Sequence, residues 1–179
     1  KSNKINKLIL ATSTENTDDK LVDIVSDYNF HTFRGSLNDV LKRFNDCAKI
    51  ENADAIVRIT GDCPLLDYEL MDEMIYEFNK GDYDYIGNSI DSNNLTVPDG
   101  FDIEIFKSKV LFEASKKALL YSEREHVTPW MRKSTSKVIW KHFEHKNKYP
   151  YYRLTVDDAN DLKVIEAIFN ELYPKDPYF

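Results

Sequence analysis

Short apolar runs and amphipathic stretches alternate along the first half of the chain. Lys7 to Ala11 predicts a strand. From Asn16 to Tyr28 the apolar residues Leu21, Ile24, Val25 and Tyr28 recur at helical spacing on one face. Phe30 to Phe33 predicts a brief strand. Ser36 then reads as an N-cap, with Asp39 three residues on as a variant capping box. An apolar face of Val40, Leu41, Phe44, Cys47 and Ala48 follows and runs to about Ile50. The β-branched run Ile56-Val57-Arg58-Ile59-Thr60 predicts a strand buried on both faces. After it, Asp67 to Phe78 predicts a helix that buries Leu70, Met74, Ile75 and Phe78, and Tyr83 to Gly87 predicts another strand. Strands alternating with helices argue for a mainly parallel sheet with right-handed crossovers.

The second half breaks this alternation. Ser89 to Asn94 is polar and turn-like. Phe101 to Phe106 alternates strictly, which predicts a strand with Asp102 and Glu104 on one face. Lys109 to Leu120 reads as a helix, and so does Tyr121 to Arg132, interrupted by Pro129. Val138 to Phe143 and Tyr151 to Val156 predict strands. A final amphipathic helix, capped by Asp157 or Asp158, turns Leu162, Ile165, Ile168, Phe169 and Leu172 inward. No repeat, low-complexity tract or linker divides the 179 residues, so residues 1–179 are expected to form a single α/β domain with a sizeable core.

Composition narrows the function classes. A net charge of −7 argues against nucleic-acid binding, which needs a basic stripe. It leaves room for a phosphorylated substrate, whose charge a metal ion and a few arginines can neutralise. Cys47 and Cys63 form no CxxC and no zinc pattern, so they are expected to be free thiols in a reducing compartment. No apolar run reaches membrane-spanning length and no signal-peptide pattern opens the chain; a cytoplasmic location without membrane attachment is the default expectation.

The candidate chemistry begins at Gly61-Asp62-Cys63-Pro64, directly after the Ile56 strand. Open α/β sheets bind ligands at the C-terminal lip of their strands, and an aspartate there can hold a hard cation. Asp157 is its expected partner, although a plain helix N-cap reads as well from spacing alone. Asp99, Asp102 and Glu104 either face solvent or line a site. Arg34, Ser36, Asp39 and Arg43 lie on a strand-to-helix turn that either caps the helix or offers N–H groups to an anion. Arg124 and His126 sit in a polar helix face. Arg58, inside an apolar run, requires an acidic partner.

The succession Phe33-Arg34-Gly35-Ser36, Asp39-Val40-Leu41, Arg58 to Leu65, Pro98 to Glu104, Glu123 to Pro129 and Leu154-Thr155-Val156-Asp157 resembles cytidylyltransferases of the spore-coat-polysaccharide type. These are relatives of the synthetases that activate acidic sugars as CMP conjugates. The likeness extends from near Lys1 to about Tyr173. It implies a three-layer α/β/α, Rossmann-like nucleotidyltransferase fold. It implies transfer of CMP from CTP to a sugar or sugar-acid hydroxyl, with release of pyrophosphate, for surface polysaccharide or glycan biosynthesis. It further implies Mg2+ (or Mn2+) on Asp62 and Asp157, which are then the catalytic pair. Nucleotide contacts fall to Arg34, Ser36, Asp39 and Arg43, and substrate contacts to Asp99, Asp102, Glu104, Arg124 and His126. The partners implied are CTP, a small sugar and a second copy of the chain.

Members of that family open with a strand and a loop of the pattern ARxxSxRLPGK, which wraps the triphosphate. These residues contain no such pattern, so the expectation is a nucleotidyltransferase domain lacking its N-terminal strand, loop and helix. Two other readings stand beside catalysis. One is a non-catalytic fragment or degenerate subunit that acts as a binding module. The other is a metal-dependent glycosyltransferase of related fold; its usual Asp-x-Asp motif is replaced here by Gly61-Asp62-Cys63.

Overall fold

The computed structural model describes residues 2–177 and 179. Six strands and six α-helices follow one another in the order β1 (Ile9–Ser13), α1 (Asp19–Asp27), β2 (His31–Gly35), α2 (Val40–Ile50), β3 (Ala55–Arg58), α3 (Tyr68–Lys80), β4 (Tyr85–Gly87), β5 (Glu104–Lys107), α4 (Ser108–Lys117), α5 (Tyr121–His126), β6 (Trp140–His142) and α6 (Ala159–Leu172). Short 3-10 turns occupy Asn16–Asp18, Pro129–Arg132 and Ser134–Ser136.

The strands form two sheets. β1 and β2 pair in parallel, and the other four take the order β3-β5-β4-β6. In the larger sheet β5 runs antiparallel to β3 and to β4, while β4 and β6 are parallel. So β3, β4 and β6 share one direction and β5 alone opposes them. The reason is local. No helix separates β4 from β5; the chain loops out through residues 88–103 and returns beside the strand it left. Asn88 holds that return in place: its side chain accepts from Ile103 N–H at 2.9 Å and donates to Phe101 C=O at 2.7 Å.

Helices cover both faces of the larger sheet. Because successive strand residues point to opposite faces, Tyr85 and Phe106 enter one core and Ile86 and Ile105 the other. The first core adds Leu41, Ala48, Val110, Leu111, Ala114, Val127, Trp130 and Met131 from α2, α4 and the α5 region. The second packs Leu70, Met71, Met74, Ile75 and Phe78 of α3 against the sheet. This is the expected three-layer α/β/α arrangement. Helix α2 also packs on β1 and β2 and so joins the small sheet to the rest. Within the described residues, β1 pairs only with β2 and β3 only with β5, which leaves one edge of each strand without a ladder partner.

Several sequence expectations need correction. Asp39, not Ser36, is the N-cap of α2: its carboxylate accepts from Lys42 N–H at 2.9 Å, and the Ser36 hydroxyl accepts from Asp39 N–H instead. Of the two caps expected for α6, Asp157 or Asp158, it is Asp158 that caps, in a reciprocal box with Asp161. Strand β5 begins at Glu104, because Asn88 takes the backbone of 101–103 out of the ladder; Asp102 therefore lies in a loop. Tyr151 to Val156 is extended but forms no regular strand. Its backbone bonds go to loops: Asp99 N–H to Tyr152 C=O at 3.1 Å, Leu154 N–H to Asp99 C=O at 2.8 Å, and Val156 N–H to Asp62 C=O at 2.8 Å. β3 is half-buried rather than buried on both faces, since its outer edge is open. Of the five residues expected to face inward on α6, only Ile165 is buried. Both cysteines are buried free thiols, as expected. Among the described residues, no helix is long and apolar enough to cross a membrane.

Candidate active site

The loop after β3 and the extended segment before α6 meet at one end of the larger sheet. The Val156–Asp62 backbone bond sets Asp62 beside the residue that precedes Asp157. A second contact brings in the 98–102 turn, where Asp99 bridges Arg153 in parallel register. That approach depends on Gly100. Its φ is +103°, and a Cβ there would lie 2.6 Å from the Leu154 carbonyl carbon, so only glycine fits. Four carboxylates thereby gather: Asp62, Asp99, Asp102 and Asp157. The Asp99 carboxyl is held above its ordinary range, first by burial and then by the charge of Asp102, with Asp157 and Asp62 adding to it and Arg153 opposing.

Neither Asp62 nor Asp157 is an ordinary cap. The Cys63 thiol donates to the Asp62 carboxylate at 3.6 Å and also sits 3.3 Å from the Thr60 hydroxyl. Burial pushes the Cys63 thiol up to about 11, with the Asp62 charge contributing. The Asp157 carboxylate is ion-paired with Arg153. A Cβ at Gly61 would meet nothing within 4 Å, so the backbone just before Asp62 borders open space. Carboxylate oxygens are the donors that Mg2+ or Mn2+ takes. Among the described residues, however, no three His, Cys, Asp or Glu side chains converge closely enough to hold an ion. The donor chemistry suits a hard cation; the geometry is not closed, because Asp157 is turned to Arg153.

Glu104 belongs elsewhere. It lies directly opposite Arg58 across the β3–β5 ladder and accepts from the Arg58 guanidinium at 2.6 Å. Its other oxygen accepts from the Tyr85 and Thr128 hydroxyls, both at 2.6 Å. The carboxylate is buried and its oxygens are occupied, so the structure places it in an internal network rather than facing a substrate. This pair answers the requirement that Arg58 find an acid. Thr128 is aimed at Glu104 by a strained γ-turn: buried Val127 has φ +70°, and Thr128 N–H donates to His126 C=O at 2.8 Å.

The turn after β2 is tied inward. Arg34 donates to Ser13 C=O at 2.8 Å and Glu15 C=O at 2.9 Å, and pairs with Asp19. Arg43 donates to Ser36 C=O at 2.7 Å. Asp39 receives a two-pronged contact from Arg124, at 3.0 and 2.6 Å, and Arg124 also donates to Ser115 C=O. Arg34, Ser36, Asp39, Arg43 and Arg124 therefore bond within the region of β2, α2 and α5, and none of these bonds goes to the aspartate cluster. His126 is exposed, and its nearest acid is Glu125 at 3.8 Å. Sequence reasoning missed Arg153 as a member of the aspartate cluster. The signal was present: Arg153 and Asp157 stand four apart in an extended run, which puts them on one side.

Comparison with known proteins bears on the family and the fold. A family model described as cytidylyltransferase matches residues 1–174. The spore coat polysaccharide biosynthesis protein SpsF of Bacillus subtilis is 34% identical over 169 residues, covering 92% of this chain and 67% of that protein. The uncharacterized protein MJ1063 of Methanocaldococcus jannaschii is 34% identical over 166 residues, covering 92% of this chain and 66% of that protein. The chain thus spans about two thirds of the length of these curated relatives. A solved cytidylyltransferase from Leptospira borgpetersenii superposes with a TM-score of 0.84 at 32% identity, covering 94% of this chain and 76% of that one. A CMP:2-keto-3-deoxy-manno-octonic acid synthetase solved with CTP superposes with a TM-score of 0.70 at 10% identity, covering 96% of this chain and 83% of that one; at that identity the likeness shows the fold. By the extent of the family match and the identity to its relatives, the chain belongs to the cytidylyltransferase family.

Proposed function

We propose that the full-length protein transfers CMP from CTP to a hydroxyl of a sugar or sugar acid, in the synthesis of a surface polysaccharide or glycan. The observation that carries this reading is the gathering of Asp62, Asp99, Asp102 and Asp157 at the end of the sheet in a chain of this family. The acceptor hydroxyl oxygen forms a bond to the α-phosphorus, the bond to the bridging oxygen breaks in line, and pyrophosphate leaves with that oxygen. The hydroxyl proton is released. Mg2+ or Mn2+, when held by Asp62 and Asp157, supplies positive charge against the developing charge on the phosphate.

The chain's own residues supply the rest. The Val156–Asp62 bond fixes the two loops against each other, and Gly100 lets the 98–102 turn close on them. Asp99 lies near enough to Asp102 to feel its charge, and this reading gives the two carboxyls the sugar hydroxyls. The region of Arg34, Ser36, Asp39 and Arg43 sits at the end of the small sheet and is the proposed nucleotide side; Arg124, bound to Asp39 there, and His126 are proposed substrate contacts. A homodimer and a cytoplasmic location accompany this reading as expectations of the family.

Two measurements test it. Calorimetric titration of the full-length protein with the four nucleoside triphosphates and Mg2+ should show a preference for CTP; equal affinities count against a cytidylyltransferase. Asp62→Asn and Asp157→Asn should each lower turnover by two or more orders of magnitude, about 3 kcal/mol of barrier, without unfolding the protein. Normal turnover by Asp62→Asn at saturating Mg2+ removes the ion-holding role.

A further inference from the structure

Arg153 sits among the aspartates with its backbone fixed. Asp99 and Arg153 face each other through the bonds of Asp99 N–H to Tyr152 and Leu154 N–H to Asp99. The guanidinium reaches three acids: Asp161 at 2.5 Å, Asp157, and Asp99 at 3.6 Å. The strongest influence holding that guanidinium protonated is the hydrogen bond it donates to the Asp161 carboxylate. The three acids are not equivalent. Asp161 is itself immobilised, because its second oxygen accepts from Asp157 N–H at 3.0 Å and Asp158 N–H at 3.1 Å, and its side chain is 18% exposed. The Asp157 side chain is 61% exposed and has Arg153 as its hydrogen-bonding partner. One arm of the fork is therefore anchored and the other grips a carboxylate free to turn.

The geometry points to Arg153 as a positioning residue: a built-in counter-ion that holds Asp157 on the α6 side of the cluster until a divalent cation replaces it there. This rests on the reading of Asp62 and Asp157 as the ion-holding pair. It explains why suitable donors gather without converging. The carboxylates would repel one another if left uncompensated. Arg153 supplies the compensating charge in the ion-free protein and keeps the cluster folded. When an ion takes Asp157, the guanidinium stays on Asp161 and faces the same space with one arm released. It is then placed to meet an anionic group of the substrate. The ion and the guanidinium compete for one carboxylate, so removing the guanidinium charge must tighten ion binding.

The test needs no turnover. Mn2+ binding to the nucleotide-free full-length protein is followed by electron paramagnetic resonance for the native protein and for Arg153→Gln, Arg153→Lys, Asp157→Asn and Lys163→Gln. Lys163 lies on α6, bonded to Asn160 and not to the cluster, and controls for loss of one positive charge nearby. Arg153→Gln is expected to bind Mn2+ roughly fivefold more tightly, the scale of one partly exposed ion pair. Arg153→Lys, which keeps the charge but loses the fork, should fall between Arg153→Gln and the native protein and serves if Arg153→Gln does not fold. Lys163→Gln should bind as the native protein does, and Asp157→Asn should lose most of the affinity. Equal Mn2+ affinity in the native and both Arg153 variants, with binding lost in Asp157→Asn, overturns the counter-ion role and leaves the ion-holding pair standing. An equal gain in Lys163→Gln also overturns it, as a general charge effect. Binding unaffected by Asp157→Asn, or no binding in any protein, overturns the ion-holding pair and the counter-ion role together.

Discussion

Arg34 in β2 and Arg58 in β3 each carry a positive charge out of a strand and each finds an aspartate or glutamate. Their surroundings differ. Arg58 meets Glu104 across a ladder, with its guanidinium over the Phe44 ring of α2 and side-chain exposures of 18% and 10%. Arg34 meets Asp19 at the edge of the small sheet, with 31% and 52%. The same contrast runs through the apolar residues. Ile105 and Phe106 are buried on opposite faces of β5, because that strand has a neighbour on each side and a helix layer on each face. Ile9 and Leu10 of β1 stay half-buried, and Leu21 and Ile24 of α1 are 44% and 47% exposed. The periodic pattern that predicts both regions is the same. Its energetic value depends on what lies opposite: the small sheet is packed by α2, which it shares with the larger, and by α1, none of whose residues is buried.

The contrast can be broken most strongly at the two arginine pairs. Glu104→Ala leaves a buried guanidinium unpaired and two hydroxyls without their acceptor, so urea unfolding should show a loss of about 3–5 kcal/mol. Asp19→Ala removes an exposed pair and should cost about 1 kcal/mol or less. Equal losses would show that the small sheet is as well insulated as the large one.

Core truncation should follow the same order with smaller differences. Leu111→Ala, fully buried between α4 and the sheet, is expected to cost about 2–5 kcal/mol. Ile24→Ala, on the apolar face of α1, should cost about 1 kcal/mol or less. Hydrogen exchange sharpens this comparison without mutation. Amides of β4 and β5 should open only with global unfolding, and those of β1 and β2 at lower free energy. Protection of β1 equal to that of β5 would mean the open edge is covered in solution.

The smallest expected effect is at Cys63. Its folded thiol is raised to about 11 by burial, so between an unfolded value near 8.5 and that point the folded state binds the extra proton. Stability contributed by Cys63 is therefore complete below about pH 8.5 and declines as pH rises towards 11. Cys63→Ala should flatten this decline relative to the native protein in unfolding curves taken between pH 8 and 10. An unchanged slope would place Cys63 in a more solvated site than the structure shows.

Most of the fold was legible along the chain, because apolar periodicity and β-branched runs are local properties. The α3 face of Leu70, Met74, Ile75 and Phe78 needed nothing distant. The acid required by Arg58 was also foreseeable, since a charge in a buried run cannot remain unpaired. The identity of that acid was not. Alternation placed Glu104 beside Asp102, but Asn88 bends the backbone between them and sends one carboxylate into the core and the other towards the site. Likewise the sequence by itself determined that Asp62 and Asp157 follow extended runs. Only the tertiary structure decided that Val156 would bond to Asp62, that Gly100 would let Asp99 approach, and that Arg153 would hold Asp157. Those contacts join residues far apart in the chain, and their geometry depends on how the separately predicted elements pack.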